Sequence, residues 1–164
     1  MDPFGAYSDA RIWEALEAVQ LKTIVASDEL GLEAIVAEDG SNWSVGQRQL
    51  LSLARALLRE SKVVVCDEAT ANVDYDTDAI IQRIFRESPV IKNSTVITIA
   101  HRLRTVADSD MIVVLDNGKL QCVGAPLDLL GSENGFQQMV EKSGEYDKIF
   151  ELANQASQRT SISM

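Results

Sequence analysis

The stretch from Ser44 to Thr70, SVGQRQLLSLARALLRESKVVVCDEAT, contains the change of hydrophobic period that decides the fold class. Up to Arg59 its apolar residues recur at helical spacing, which predicts an amphipathic helix. From Val63 to Cys66 they run without interruption, and a short run rich in β-branched residues predicts a buried strand. A helix followed at once by a buried strand is typical of an α/β protein.

The flanking sequence continues this alternation of helices and strands in both directions. The predicted elements are a helix capped by Ser8, a short helix over 21–27, a loop over 28–42, a helix over 76–88 ended by Pro89, a buried strand over 94–101, a short helix from about Arg102, a strand pair joined at Asn117-Gly118, and helical pieces from Pro126 to a frayed end. Together they predict a helical segment followed by a mainly parallel sheet with flanking helices.

Composition places the chain among ordinary soluble globular proteins. Hydrophobic residues make up 46% of its 164 residues and charged residues 24%, and the formal net charge is -10. Such a surface repels phosphate backbones, which argues against nucleic acid as a partner. The apolar runs are too short to span a bilayer, so we expect the chain alone to be soluble, without a transmembrane segment. Of its two cysteines, Cys66 is expected to be a buried thiol.

Two carboxylates, Asp67 and Glu68, follow directly on the first predicted strand. Strands of a parallel sheet end at the edge where α/β folds bind ligands. There Asp67 could hold a magnesium ion, directly or through water, while Glu68 could orient or deprotonate an attacking water. A solvated loop or a helix N-cap would explain the same two residues.

Three further features lie at predicted strand or helix ends. Ser44, Gly46 and Gln47 stand where the first N–H groups of a helix make an anion site, or simply a capped helix. His101, the only histidine, follows the second predicted strand at a height suited to a terminal phosphate, and a structural histidine fits that position as well. The segment Ala71–Asp74 is a turn that ends in an Asx cap.

Taken in this order, the features resemble the nucleotide-binding domain of ABC transporters. In that family the corresponding motifs are the signature (Trp43–Gln47), the Walker B strand (Val63–Asp67), the catalytic glutamate (Glu68), the D-loop (Ala71–Asp74) and the switch histidine (His101). The resemblance covers nearly the whole chain and implies a partial P-loop NTPase fold. The opening DPF…YSD..IWEAL is similar to the helical subdomain of the C-type, multidrug-resistance-associated subfamily.

The resemblance implies that these residues serve ATP hydrolysis coupled to transmembrane transport. Glu68 would position the attacking water, Asp67 would organise Mg²⁺ through water, and His101 would contact the γ-phosphate. A second nucleotide-binding domain, packed head-to-tail, would hold the ATP that the signature and D-loop reach. The residues implied in that contact are Ser44, Val45, Gly46, Gln47 and Asp74.

The signature departs from the Leu-Ser-Gly-Gly-Gln of most of the family. Trp43 stands in the leucine position and Val45 in the position of the first glycine. A valine there adds methyl groups where backbone would approach a γ-phosphate, and it makes any positive φ costly. We therefore expect weaker phosphate contact. Val45 together with an intact Glu68 is similar to the second nucleotide-binding domain of C-type exporters, whose signature faces the weaker of two ATP sites.

The phosphate loop of the family, G-x-x-x-x-G-K-[ST], is absent from this sequence. The Gly118-Lys119 pair lies in the predicted hairpin, is followed by Leu120 and has no glycine at the required spacing before it. Met1 therefore resembles a cut through a domain, and we expect an edge and apolar faces of the sheet to be exposed. By itself the chain should neither bind ATP tightly nor turn it over.

The resemblance also divides the chain. Residues 1–145 would be a partial nucleotide-binding domain, with the helical subdomain at 1–43, the signature helix and catalytic strands at 44–125 and C-terminal helices at 126–145, before a tail at 146–164. In a complete transporter this domain would lie at the cytoplasmic face of a membrane, joined to transmembrane domains. One alternative is a truncated or non-enzymatic product that only docks on a partner nucleotide-binding domain. Another is an ABC-type ATPase of DNA repair or chromosome structure, against which the acidic charge argues.

Overall fold

The computed structural model describes residues 1–70 and 72–162, with side chains up to residue 158. The chain divides into two compact units, Met1–Ile99 and Ala100–Met164. Each unit has its own hydrophobic core.

In the first unit, helices pack with a short parallel sheet around one core. Its elements are α1 (Asp9–Ala18), α2 (Lys22–Ala26), 3-10 turns at Gly31–Glu33 and Glu38–Gly40, α3 (Val45–Arg59), β1 (Val63–Asp67), α4 (Tyr75–Glu87), α5 (Pro89–Lys92) and β2 (Thr95–Ile99). Every helix and strand predicted for this part of the sequence is confirmed, including the end of α4 before Pro89. Ser8 stands at the N-cap of α1 as predicted, but its side chain makes no capping hydrogen bond.

The core of the first unit forms where the apolar stripes of its helices meet. Leu16 and Val19 of α1, Leu50 and Ala54 of α3 and Ile81 of α4 are all buried in it. Burial of a large aliphatic side chain contributes roughly 2 kcal/mol to folding. This packing holds the start of α3 against the start of α4, where the candidate site lies.

β1 and β2 run parallel, with their last residues, Asp67 and Ile99, opposite each other. The prediction that both strands are fully buried is wrong, because burial alternates along β1: Val64 and Cys66 are buried, while Val65 is 63% exposed. Successive side chains of a strand point to opposite faces, and only one face is covered. The apolar residues of the open face are Val63, Val65, Ile97 and Ile99. The predicted exposure of apolar sheet surface is confirmed for this one face.

The second unit combines an antiparallel hairpin with four helices in the part of the chain that the structure describes. Its elements are α6 (Leu103–Val106), β3 (Ile112–Asp116), β4 (Lys119–Gly124), α7 (Pro126–Leu130), α8 (Gly135–Ser143) and α9 (Tyr146–Ile162). The hairpin turns at Asn117 and Gly118, whose φ values of 48° and 73° are those of the predicted two-residue turn.

Helix α9 completes the core of the second unit. Phe136 and Val140 of α8 pack there with Ile149 and Ala153 of α9, all buried. Residues 146–164, assigned from the sequence to a tail, thus begin with a helix whose apolar stripe is covered. Within the described residues no helix is long and apolar enough to cross a membrane.

Candidate functional site

Asp67 and Glu68 lie at the carboxyl end of β1, as the sequence predicts. Asp67 is the last residue of the strand and Glu68 follows it, and both side chains are exposed. The backbone N–H of Glu68 donates a 2.9 Å hydrogen bond to the carbonyl oxygen of Ile99, the last residue of β2. Two adjacent carboxylates therefore lie at the carboxyl end of the sheet, where a backbone hydrogen bond joins the ends of the two strands.

The backbone of Glu68 is left-handed, with a φ of 48°. In this region the Cβ of an L-residue crowds the following carbonyl oxygen, which costs about 1 kcal/mol. Such a conformation persists where the surrounding structure imposes it, and it is common at functional sites. The bond to Ile99 fixes the orientation of the peptide group that precedes Glu68, so the segment after β1 is anchored to the end of β2.

The donor chemistry of this edge suits Mg²⁺. That ion binds proteins through one or two carboxylates and keeps water and substrate phosphates as its other ligands. Asp67 supplies an exposed carboxylate. Over residues 1–70 and 72–162, no group of three His, Cys, Asp or Glu side chains could enclose a metal by itself. Asp67 thus fits a magnesium ion that arrives with phosphate.

The turn before α3 closes into a capping box. The Oγ of Ser44 accepts a hydrogen bond from the N–H of Gln47 at 3.1 Å, and the N–H of Ser44 donates to Oε1 of Gln47 at 2.9 Å. The simple capped helix that the sequence allows is therefore present. The Ser44 hydroxyl still has a proton to donate, and the helix dipole favours an anion at this end.

Arg48 holds the loop that leads into this turn, and sequence reasoning missed it. Its Nη1 donates to the carbonyl oxygens of Gly40 at 3.2 Å and Trp43 at 2.8 Å. Gly40 has a φ of 63°, and a Cβ on it would lie 2.8 Å from Cδ of Arg48. The arginine stem therefore fills the space that only a glycine leaves. A glycine in a polar loop signals a turn, but no spacing rule identifies its partner.

Val45 and Gly46, the first two residues of α3, differ in their surroundings. Val45 is 42% exposed, so part of it lies at the protein surface. Gly46 is buried, and a Cβ on it would lie 2.8 Å from Oγ1 of Thr77 in α4. Glycine is needed at position 46 because α4 approaches closely.

Asp74 caps α4 through Thr77. Oδ1 of Asp74 accepts from the N–H of Thr77 at 2.9 Å, and Oδ2 accepts from Oγ1 of Thr77 at 2.8 Å. These bonds, that of the backbone first, hold the pKa of Asp74 below that of an ordinary aspartate because they stabilise the carboxylate. The predicted Asx cap is confirmed, whereas Ala71, the first residue of the predicted D-loop, lies outside the described residues. Sequence reasoning missed Thr77, although D-x-x-T is a recognisable capping spacing.

His101 is the second residue of the second unit and lies two positions after β2. Its side chain is exposed. Helix α6 begins two residues later, at Leu103. The contact of His101 with a phosphate stays a prediction.

A cavity of about 220 Å³ lies between α3, β1 and α4 in the first unit. Its walls include Ser52 and Leu53 of α3, Cys66 of β1 and Phe85 of α4. Cys66 is buried, as predicted, and burial raises the pKa of its thiol. The thiolate is the reactive form of cysteine, and a raised pKa lowers its amount at neutral pH. Cys66 is therefore a poor nucleophile and packs as a small apolar residue.

This chain is similar to a protein family model and to several known proteins. A family model described as ABC transporter matches residues 5–71. ATP-binding cassette sub-family C member 2 of Homo sapiens is 53% identical over 144 residues, which cover 88% of this chain and 9% of that protein. The probable multidrug resistance-associated protein lethal(2)03659 of Drosophila melanogaster is 44% identical over 159 residues, covering 94% of this chain and 11% of that protein. The chain thus spans about a tenth of the length of these relatives.

A solved structure is similar to most of the chain. The structure of a bacterial Atm1-family ABC exporter with ATP bound matches with a TM-score of 0.74 at 34% sequence identity. The match covers 84% of this chain and 24% of that chain. The predicted α/β fold of the P-loop NTPase type is thereby confirmed.

Proposed function

Because this chain belongs to the ABC transporter family and is similar to members of its subfamily C, we propose that it is part of an ATPase domain that couples ATP binding and hydrolysis to transport across a membrane. The observation that carries the proposal is the pair of exposed carboxylates, Asp67 and Glu68, at the carboxyl end of β1. The left-handed backbone of Glu68 and its bond to Ile99 support a functional role for this edge.

In this proposal the two carboxylates have different roles, Asp67 toward Mg²⁺ and Glu68 toward the attacking water. Mg²⁺, when bound, supplies positive charge that offsets the charge of the phosphate oxygens. Asp67 would hold it through water. Glu68 would accept a hydrogen bond from the attacking water and take its proton as the water oxygen bonds to the γ-phosphorus, while the bond from that phosphorus to the β–γ bridging oxygen breaks and ADP leaves. Both groups lie at the carboxyl end of β1, the edge of the sheet where α/β folds bind ligands.

The turn Ser44–Gln47 is proposed to contact ATP held by a second nucleotide-binding domain, packed head-to-tail. Its hydroxyl proton and the N-terminus of α3 suit a phosphate oxygen. Val45 stands on that surface and weakens the contact, as at the weaker of two sites. Asp74 is proposed to contact the same ATP, held by the partner domain. His101 is proposed to contact the γ-phosphate of the ATP that its own domain holds.

The complete protein is proposed to place this domain at the cytoplasmic face of a membrane, joined to transmembrane domains. The support is similarity to subfamily C proteins and to an exporter with ATP bound. Within the described residues no helix could supply a membrane span itself.

A second candidate is a non-enzymatic module that docks on a partner nucleotide-binding domain. The observation that favours it is that the Ser44 turn and the Asp74 cap are both intact within one compact unit. Such a module would contact ATP that its partner holds and would leave hydrolysis to that partner.

Calorimetry on the purified chain tests whether it handles nucleotide alone. We expect no micromolar binding of Mg-ATP, because neither a backbone cradle nor its lysine is present to hold the β- and γ-phosphates. Docking is tested by retention of the chain on an immobilised ABC nucleotide-binding domain that has its phosphate loop. If the chain is retained only when ATP is present, both the ATPase-domain role and the docking role are supported. If the chain is not retained even with ATP, both roles are contradicted.

The ATPase role is tested in a subfamily C transporter in which this segment replaces the corresponding residues. Glu68→Gln should lower ATP turnover by on the order of 10²-fold or more while nucleotide stays trapped, because an amide cannot take the proton. Glu87→Gln, on the exposed end of α4, is the matched control and should leave turnover unchanged. Undiminished turnover with Glu68→Gln would leave only the docking role.

A further inference from the structure

The start of α4 approaches the start of α3 closely where Thr77 borders Gly46. A Cβ placed on Gly46 would lie 2.8 Å from Oγ1 of Thr77 and 3.1 Å from its Cγ2. Real Cβ atoms do not approach other atoms so closely, so the threonine side chain occupies the place that a larger residue at 46 would need. Gly46 itself is buried.

Thr77 is held in this position by Asp74. Both carboxylate oxygens of Asp74 accept from the same residue, one from its N–H at 2.9 Å and the other from its Oγ1 at 2.8 Å. A threonine side chain has few rotamers, and a bond that engages its hydroxyl selects one of them. In the selected rotamer the hydroxyl and the methyl group both border Gly46.

Gly46 in turn lies inside the capping box. Its neighbours Ser44 and Gln47 exchange two hydrogen bonds, at 2.9 and 3.1 Å. A displacement of the backbone at Gly46 would therefore change the geometry of this box. Contacts thus run without a gap from Asp74 through Thr77 to the turn at Ser44.

We propose that Thr77 is a positioning residue that couples Asp74 to the phosphate-facing turn at Ser44–Gln47. When the carboxylate of Asp74 is protonated or engaged by a partner, Thr77 is released, and Gly46 with its capping box shifts. The importance of this shift rests on the function proposed above for the turn. The coupling itself is a property of the first unit.

The alternative is that Thr77 only caps α4. Two substitutions separate the possibilities. Thr77→Val keeps the shape of the side chain and removes the bond to Oδ2 of Asp74, whereas Thr77→Ser keeps the hydroxyl. Thr23→Val, at an exposed threonine of α2, is the matched control.

The coupling is measured in the full chain by ¹H–¹⁵N spectra recorded through the acid titration of Asp74. In the unsubstituted chain we expect the amide resonances of Gly46 and Gln47 to follow that titration, and Thr77→Ser and Thr23→Val should preserve this. In Thr77→Val the midpoint of Asp74 should rise towards that of an ordinary aspartate, and the two amides should cease to follow it. In the variant Asp74→Asn the two amides should lose the response that follows Asp74.

A local cap would give a different spectrum. If Gly46 and Gln47 do not respond to Asp74 in the unsubstituted chain, or respond equally in Thr77→Val, the coupling is refuted. Circular dichroism of each variant confirms that the comparison is made between folded chains.

Retention on an immobilised nucleotide-binding domain with ATP supplies the functional measurement. Thr77→Val should lower retention by about fivefold, the effect of one lost hydrogen bond, and Thr77→Ser and Thr23→Val should not. If the unsubstituted chain is not retained while its amides follow Asp74, the proposed function fails and the coupling stands. If Thr77→Val is retained as well as the unsubstituted chain, the inference that Thr77 positions the turn for its partner is refuted.

Discussion

The backbone N–H of Glu68 donates a 2.9 Å hydrogen bond to the carbonyl oxygen of Ile99, so the residue after β1 is tied to the last residue of β2. The bond extends the parallel pairing one step beyond Asp67, which lies opposite Ile99. It is made with Glu68 in the left-handed region, at a φ of 48°. The proposed catalytic carboxylate therefore stands on a backbone whose direction is set by both strands.

Substitution of Glu68 should reveal this strain in the free energy of unfolding. Glycine tolerates a positive φ and a β-branched residue does not, so Glu68→Gly should be more stable than Glu68→Val by on the order of 2 kcal/mol. Urea unfolding of the full chain measures the difference. At Glu14, inside helix α1, the substitution Glu14→Gly should instead lower stability by about 1 kcal/mol. Equal losses from glycine at both positions would show that Glu68 is unstrained.

Substitution of Val45 should change how well the phosphate-facing turn serves a partner domain. Removing its exposed methyl groups opens the surface of the first turn of α3. Retention on a nucleotide-binding domain with ATP should rise from valine to Val45→Ala to Val45→Gly, by about fivefold in total, the effect of one recovered hydrogen bond. Val36→Gly, at another exposed valine, is the control and should have no effect. Weaker retention of Val45→Gly, with its helix content intact, would mean that Val45 makes a favourable contact.

Asp74 should make the stability of the chain depend on pH in acid. Its folded pKa is lowered by the N–H and then the hydroxyl of Thr77. The resulting stabilisation is complete above the pKa of an unfolded aspartate, about 4, and is lost as the pH falls through the lower folded pKa. Asp74→Asn should flatten this part of the profile of unfolding free energy, measured by urea titrations at several pH values. Asp76→Asn, in the same helical turn, is the control, and a profile unchanged by Asp74→Asn would refute the effect.

The two thiols should differ in their rates of alkylation. Cys66 is buried with a raised pKa, whereas Cys122 is half-buried. Burial raises the pKa of the Cys66 thiol and so lowers the amount of thiolate at neutral pH, and it also shields the sulfur, so Cys66 should react with iodoacetamide more slowly than Cys122. The single variants Cys66→Ser and Cys122→Ser assign the rates, which should converge in urea. Equal rates in the folded chain would contradict the burial of Cys66.

Helices and turns could be predicted because their signals are local. Ser44 and Asp74 cap the helices that follow them, and Asn117-Gly118 makes the hairpin turn, through contacts within a few residues. Burial of the strands could not be predicted in the same way. An unbroken apolar run such as that from Val63 to Cys66 fits a strand covered on both faces, yet only one face is covered.

For the candidate site, the order of motifs along the chain predicted Asp67, Glu68 and the Ser44 turn, and all of them lie in the first unit. The residues that support the site were missed. Arg48 bonds to the loop before α3, and Thr77 borders Gly46 from another helix. Neither contact can be predicted from hydrophobic periodicity or from the spacing of motifs in the sequence.

By itself, the sequence determined the elements, their caps and the order of the chemical groups, because hydrophobic period and capping act over one or two turns of chain. Only the tertiary structure decided which face of β1 is covered, which side chain borders Gly46 and which atom accepts from the N–H of Glu68. Each of these depends on an atom brought near by folding: a helix over one sheet face, Thr77 beside Gly46, and the carbonyl oxygen of Ile99 beside Glu68.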